Sequence, residues 1–179
     1  MLPLQYLAIT IATLALLFAC RLSWASYRLS AHPHVEPIES AHPGIAFELN
    51  QLIADIASIA CIPAPALYIQ RSALPNAFVV ATISRPDLFL TDELLEECDS
   101  LADGVDRLTW VICHEIAHIQ RADALRVGLL ISINQALLFL HLEKSAHYFQ
   151  LKIQQIENET DIIAETLLTK LNNPNSPTV

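Results

Sequence analysis

Apolar positions along residues 45–60 fall at helical spacing. Ile45, Leu49, Leu52, Ile53, Ile56 and Ile59 are interleaved with Glu48, Asn50, Gln51 and Asp55, which predicts one amphipathic helix. Pro63 and Pro65 end it. The pattern then shortens to strand-like runs at 66–69, 77–83 and 88–90, separated by turn residues at Pro75-Asn76 and Arg85-Pro86-Asp87. Thr91 before Asp92 and Glu93 has the form of a helix N-cap with an acidic first turn, opening a short helix to about Cys98. Asp103 is placed to cap a longer helix, into which residues 108–113 run without Gly or Pro. Residues 127–142 form a second apolar run around Asn134 and Gln135, and a last helix follows over 143–171. No internal repeat is visible. The elements add up to an α+β chain, mostly helical, with one small sheet.

Composition changes this picture at one end. The chain is 53% hydrophobic, and the excess is local: residues 2–19 carry no charged side chain, with Gln5, Tyr6, Thr10 and Thr13 as their polar members. About 18–20 such residues in a helix cover a bilayer core, so this segment is expected to be an uncleaved transmembrane anchor. A basic n-region, which a cleaved signal peptide would carry, is missing ahead of it. Arg21 and Arg28 follow directly and favour a cytoplasmic position for the bulk of the chain. The expected division is an anchor over 1–21, a Pro-punctuated linker over 22–44, a catalytic domain over 45–171 and a flexible tail over 172–179. His32, His34 and His42 lie in that linker beside prolines and without acidic or Cys partners in register, and are read as linker residues. The four cysteines show no CxxC spacing and read as isolated thiols. A net charge of −9 with no basic stripe excludes nucleic acid as the expected partner.

The chemistry is concentrated in His114-Glu115-Ile116-Ala117-His118. On a helix this HExxH spacing puts two imidazoles on one face, one turn apart, where they can hold one Zn²⁺. The ion supplies Lewis acidity to water and to a carbonyl, and Glu115 is the candidate general base. A hydrolytic zinc site needs a third protein ligand and leaves the fourth position to water. Downstream candidates are His141, His147, Glu157 and Glu159. Topology limits the choice of path. If 127–142 spanned a bilayer alone, His118 and the last helix would lie on opposite sides. Sixteen helical residues reach only about 24 Å, short of a bilayer core. The run is therefore expected to be a buried or membrane-lying helix that returns the chain to the metal.

Leu74-Pro75-Asn76-Ala77-Phe78, then the HExxH pentapeptide, then Glu157-Asn158-Glu159-Thr160-Asp161 resembles the HtpX-like membrane metallopeptidases, or minigluzincins. His118-Ile119-Gln120-Arg121-Ala122-Asp123 followed by an apolar helix is also similar to the BlaR/MecR-type sensor peptidases. The likeness covers roughly residues 45–170. It implies a minigluzincin-like zinc metallopeptidase domain of the HExxH…ExxxD type, with Glu157 as third ligand and Asp161 orienting a ligating His. It also implies that the strand after Asn76, Ala77 and Phe78 lines the cleft and pairs with an extended substrate. The expected activity is zinc-dependent endopeptidase cleavage of peptide or protein substrates at the lipid bilayer, with room for an oligomeric or regulatory membrane partner. The alternative is a non-catalytic membrane adaptor or immunity-like protein that retains the fold, against which Glu115 counts, because a structural metal site has no use for it. Two features depart from the family: the stretch after the HExxH helix is too short for the usual pair of spans, and Thr160 replaces a small Ala or Cys.

Overall fold

A computed structural model of the chain describes residues 34–81, 86–139 and 143–173. The expected anchor over 1–21 and the tail from 174 lie outside the described residues. Among the described residues no helix is long and apolar enough to cross a membrane.

The elements run β1 (Val35–Pro37), α1 (Ile38–Ala41), α2 (Ala46–Ile59), β2 (Ala66–Gln70), β3 (Ala77–Ala81), β4 (Pro86–Thr91), α3 (Asp92–Ser100), α4 (Gly104–Arg121), α5 (Ala124–Phe139) and α6 (Glu143–Asn172). The chain is thus mostly helical with one small mixed sheet, as its periodicities predict. The described part of the expected linker is different. Residues 35–41 form a strand and a helical turn: β1 pairs antiparallel with β2, Val35 opposite Gln70, and Val35 and Ile38 are buried. Proline did not prevent this, because Pro37 sits at the N-cap of α1, where a missing N–H breaks no helical hydrogen bond.

The sheet order is β1-β2-β4-β3, with β2 and β4 parallel and β3 antiparallel to β4. β3 is therefore an edge strand. One sheet face carries Leu67, Ile69, Leu88 and Leu90, which join Ile53 and Ile56 of α2 and Ile112 and Ile116 of α4 in the core. The opposite face carries an aromatic row across three strands, Tyr68, Phe89 and Phe78, stacked at centroid distances of 5.3 and 5.0 Å. Such ring pairs add about 0.5–1.5 kcal/mol beyond their area.

Register decides which β3 groups face outward. Thr91 N donates to Asn76 O at 3.0 Å, and Asn76 N donates to the Thr91 hydroxyl at 2.8 Å. In an antiparallel ladder the bonded pairs alternate, so Phe78 and Val80 turn their backbone groups toward β4. Ala77 and Val79 turn theirs to the open edge. Pro86, opposite Ala81, falls at a position that this ladder leaves unbonded.

Helix α3 starts at Thr91, whose hydroxyl accepts from Leu94 N at 3.3 Å, as its sequence predicts. Asp103 precedes α4, but only through its backbone: its carbonyl accepts from Arg107 N, and its side chain makes no cap. In α6, Ile156, Thr160, Ala164 and Leu167 are buried at spacings of four, four and three. Glu157 and Asp161 sit one residue beyond two of these, at the margin of the packed face.

Gly104, the first residue of α4, lies against the last turn of α3. A Cβ there would collide with the Cys98 carbonyl, which is backbone and cannot rotate away. Gly104→Ala should therefore destabilise the fold by about 1–3 kcal/mol, the usual cost of overpacking, read as a lower urea midpoint with unchanged slope. A midpoint equal to that of the wild type would contradict this packing.

Candidate metal centre

The middle of α4 buries Ile112, Cys113, Ile116 and Ala117 against the sheet and α2, and this fixes its rotation. Glu115 and His118 are also buried, and His114 is half-buried. Because α6 runs antiparallel to α4, Glu157 comes beside both imidazoles and Asp161 beside His114. His118 Nε2 lies 3.2 Å from His114 Nε2, and Glu157 Oε2 lies 3.5 Å from the first-named helix position, His114 Nε2, and 3.4 Å from His118 Nε2. Among the described residues this is the one group of His, Cys, Asp or Glu side chains able to share an ion.

Protonation follows from the partners. His114 Nδ1 is 2.9 Å from Asp161 Oδ1, and His118 Nδ1 is 2.9 Å from Asp123 Oδ1. A carboxylate only accepts, so each neutral ring carries its proton on Nδ1 and presents a lone pair at Nε2. Three acceptors then converge on one point, which a cation relieves. Ligand atoms about 2.0–2.1 Å from a tetrahedral Zn²⁺ lie about 3.3–3.4 Å apart. The observed separations of 3.2, 3.4 and 3.5 Å match that edge. Two imidazoles and a carboxylate also suit zinc chemically. The neighbouring Cys113 offers no rival, since burial pushes its thiol up to about 11.

Glu115 points toward β3. Burial raises its carboxyl to about 7, with the Glu157 charge adding to the rise. His118 and a hydrogen bond from the outward-facing Val79 amide oppose it. A cleft of about 340 Å³ opens beside these groups, with Phe78 and Val79 on one wall and the first turns of α5 on the other. Of the strand residues expected to meet substrate, Phe78 lines this cleft, Ala77 lies on the open edge, and Asn76 is tied to Thr91. Trp110, one turn before His114, packs its ring 5.4 Å from that imidazole. Thr160 is fully buried, and its hydroxyl donates to Ile156 O at 2.9 Å, so the larger side chain leaves no polar group unmet.

The other ligand candidates do not join the site. Glu159 points away, accepting from Arg121 at 2.6 Å, and His147 is exposed. His141 lies outside the described residues.

Sequence reasoning gave Asp123 no role, and the structure supplies one. After α4, Ala122 adopts a left-handed conformation, φ 52°. Ala122 N then bonds Ile119 O, and Asp123 N bonds His118 O. This is a Schellman ending, in which the residues at the two ends of the motif usually make an apolar contact. Here those residues are His118 and Asp123, and their contact is the imidazole–carboxylate hydrogen bond. Arg121 Nε donates to Asp123 Oδ2 at 2.6 Å and Arg121 also reaches Glu159, so α6 braces the turn. The spacing of five between His118 and Asp123 was the available signal, hidden because Ala rather than Gly takes the left-handed position.

Asp123→Ala should weaken zinc binding about 10- to 100-fold, as loss of a carboxylate behind a ligating imidazole does. Competition with a chromophoric chelator reads this directly. Unchanged affinity would show that His118 needs no such support.

Comparison with known proteins places the chain in a family. Curated relatives include proteins named "Protease HtpX homolog" from Sulfurovum sp. (strain NBC37-1), 32% identical over 63% of this chain and 40% of that protein, and from Desulfatibacillum aliphaticivorans, 30% identical over 72% of this chain and 41% of that protein. A third of that name, from Sulfurihydrogenibium sp. (strain YO3AOP1), is 32% identical over 51% of this chain and 30% of that protein. The chain thus spans less than half the length of the curated relatives it matches. No solved structure matches it. Peptidase family M48 is matched by residues 46–176, which take in strands β2 to β4, the HExxH helix and Glu157, and the chain belongs to that family.

Proposed function

We propose that this chain is a zinc-dependent endopeptidase, of the HExxH…ExxxD type, held at a membrane by its first 21 residues with the catalytic domain on the cytoplasmic side. The observation that carries the reading is the convergence of His114 Nε2, His118 Nε2 and Glu157 Oε2 at tetrahedral spacing beside a buried carboxylate. Family membership supports peptidase chemistry, and the curated relatives bear a protease name.

His114, His118 and Glu157 would hold the ion, with Asp161 and Asp123 fixing the two rings. When bound, the ion supplies Lewis acidity to the attacking water and the scissile carbonyl. Glu115 takes one proton from that water as its oxygen bonds to the carbonyl carbon. It then delivers the proton to the amide nitrogen as the carbon–nitrogen bond breaks, giving a carboxylic acid and an amine, which become a carboxylate and an ammonium when the second water proton passes to the nitrogen. Its setting suits both halves of the task, since burial raises the carboxyl and a bound ion would draw it back down, leaving a group that both accepts and releases a proton.

The open edge of β3 would bind the substrate main chain by strand addition. Ala77 presents its amide and carbonyl there and Val79 its carbonyl, the Val79 N–H being held by Glu115, and such pairing accepts many sequences.

Glu115→Gln should keep one zinc per chain and lose at least about 100-fold in proteolysis of an unfolded substrate, the usual contribution of a general base. Equal cleavage by variant and wild type would rule the mechanism out. If both bind zinc and neither cleaves, the non-catalytic reading replaces it.

A further inference from the structure

Beyond the peptidase reading, we infer that residues 21–33 of this chain dock in a groove beside α3 and so hold the folded domain to its own N-terminal segment. The groove consists of two cavities with a common wall. Asp92 and Glu96 line a cavity of about 240 Å³ beside β1 and α1, and Asp99 lines one of about 340 Å³ between α2 and the start of α4. These three acids recur at i, i+4 and i+7, so they share one face of α3 and lead from the first cavity into the second. The facing wall passes in the same order from Ala41 of α1 to Ile45 and Leu49 at the start of α2. The second cavity is the more apolar. Leu49, Leu52 and Leu108 line it, and Val105 at its lip is 80% exposed. A large apolar side chain left open beside an apolar hollow is the mark of a surface that something covers.

Charge indicates what covers it. Among the residues lining the groove, Arg71 is the one Lys or Arg, and Glu36 pairs with it at 2.9 Å. Glu48, Asp92, Glu96 and Asp99 therefore leave the groove negative, which repels an anionic lipid surface. All 19 acidic residues of the chain lie after residue 35, whereas residues 21–33 carry Arg21 and Arg28 among Leu22, Trp24, Tyr27 and Leu29. That composition, apolar with positive charge, is the complement of the groove, and such complementarity selects a partner and fixes its register. Position agrees with charge. The segment joins the fold at His34, and Glu36, two residues on, already lines the first cavity. The next part of the expected linker is itself folded onto the domain, with β1 on β2 and α1 walling the groove. From Asp92 to Asp99 is about 10 Å of helix, and residues 21–33 reach about 40 Å when extended. The segment spans both cavities without strain. Tethered at the mouth of its groove, it binds at an effective concentration of about millimolar, so even weak pairing fills the site. Docked there, it fixes the domain relative to the apolar residues 2–19 and covers the first turn of the HExxH helix.

The test puts a photoreactive benzophenone side chain in place of Trp24 in the full chain, held in phosphatidylcholine vesicles, and maps the photoproducts by mass spectrometry. Mixing isotope-labelled with unlabelled chains separates links within one chain from links between two. Links within one chain to residues 45–52 or 98–109 are expected. Glu96→Lys with Asp99→Lys should lower their yield at least about 3-fold, and Arg21→Glu with Arg28→Glu should do the same. All four substitutions together should bring the yield back to within about 2-fold of the starting value, because the charges are then exchanged rather than lost. Links between two chains would put a second copy in the groove, and links to lipid alone would put the membrane there. Either result overturns the assignment, as do links elsewhere on the chain or a yield indifferent to both charge reversals. Nothing in this readout requires cleavage, so its failure is distinct from a failure of the peptidase reading.

Discussion

The candidate metal centre depends on holding two imidazoles, one turn apart, with their Nε2 lone pairs aimed at one point. A helix brings them to the same face without further help, but it does not fix their rings. That is done from outside, by one carboxylate on each Nδ1. Asp161 comes from the last helix, 47 residues away, and Asp123 from the turn that ends the same helix. The arrangement is uncomfortable by design. Lone pairs 3.2 Å apart, with a carboxylate beside both, repel unless a cation lies among them.

Two parts of the fold answer to this constraint. The packed face of α6, with Ile156, Thr160 and Ala164 buried, sets the helix so that Glu157 and Asp161 reach α4 from its margin. The turn at Ala122 does the second job. It spends a left-handed conformation on a residue other than glycine, at about 1 kcal/mol, and thereby brings Asp123 back under His118. The same residue then starts α5 and leaves that helix as a wall of the cleft. The candidate metal centre and the apolar wall are therefore two outcomes of one turn, and the Arg121 bridge to Glu159 ties both to α6.

Much of this was legible in the residues. HExxH names its own geometry, because helical periodicity alone places His114 beside His118. The four-residue step from Glu157 to Asp161 puts both on one face, and family resemblance, rather than spacing, distinguished Glu157 from Glu159. What the sequence left dark had physical causes. The Schellman turn lacks its usual glycine, so nothing in the residues signalled that Asp123 folds back to His118. The short β1 strand is too brief for periodicity to reveal, and its prolines read as linker until Pro37 proved to sit where no N–H is needed. The role of Val79 belongs to its backbone amide, which no side-chain pattern encodes, and only the β3–β4 register turns it toward Glu115. The run after residue 127 showed its apolarity plainly, but nothing in the sequence told which of its faces would meet the candidate metal centre.

X-ray absorption at the zinc edge of the purified, metal-loaded protein tests the central claim most directly. The account predicts only nitrogen and oxygen scatterers at about 2.0–2.1 Å, two of them with the outer-shell pattern of imidazole, and loss of one oxygen or of the metal in Glu157→Ala. A sulfur shell at about 2.3 Å, or a spectrum untouched by that substitution, would contradict it.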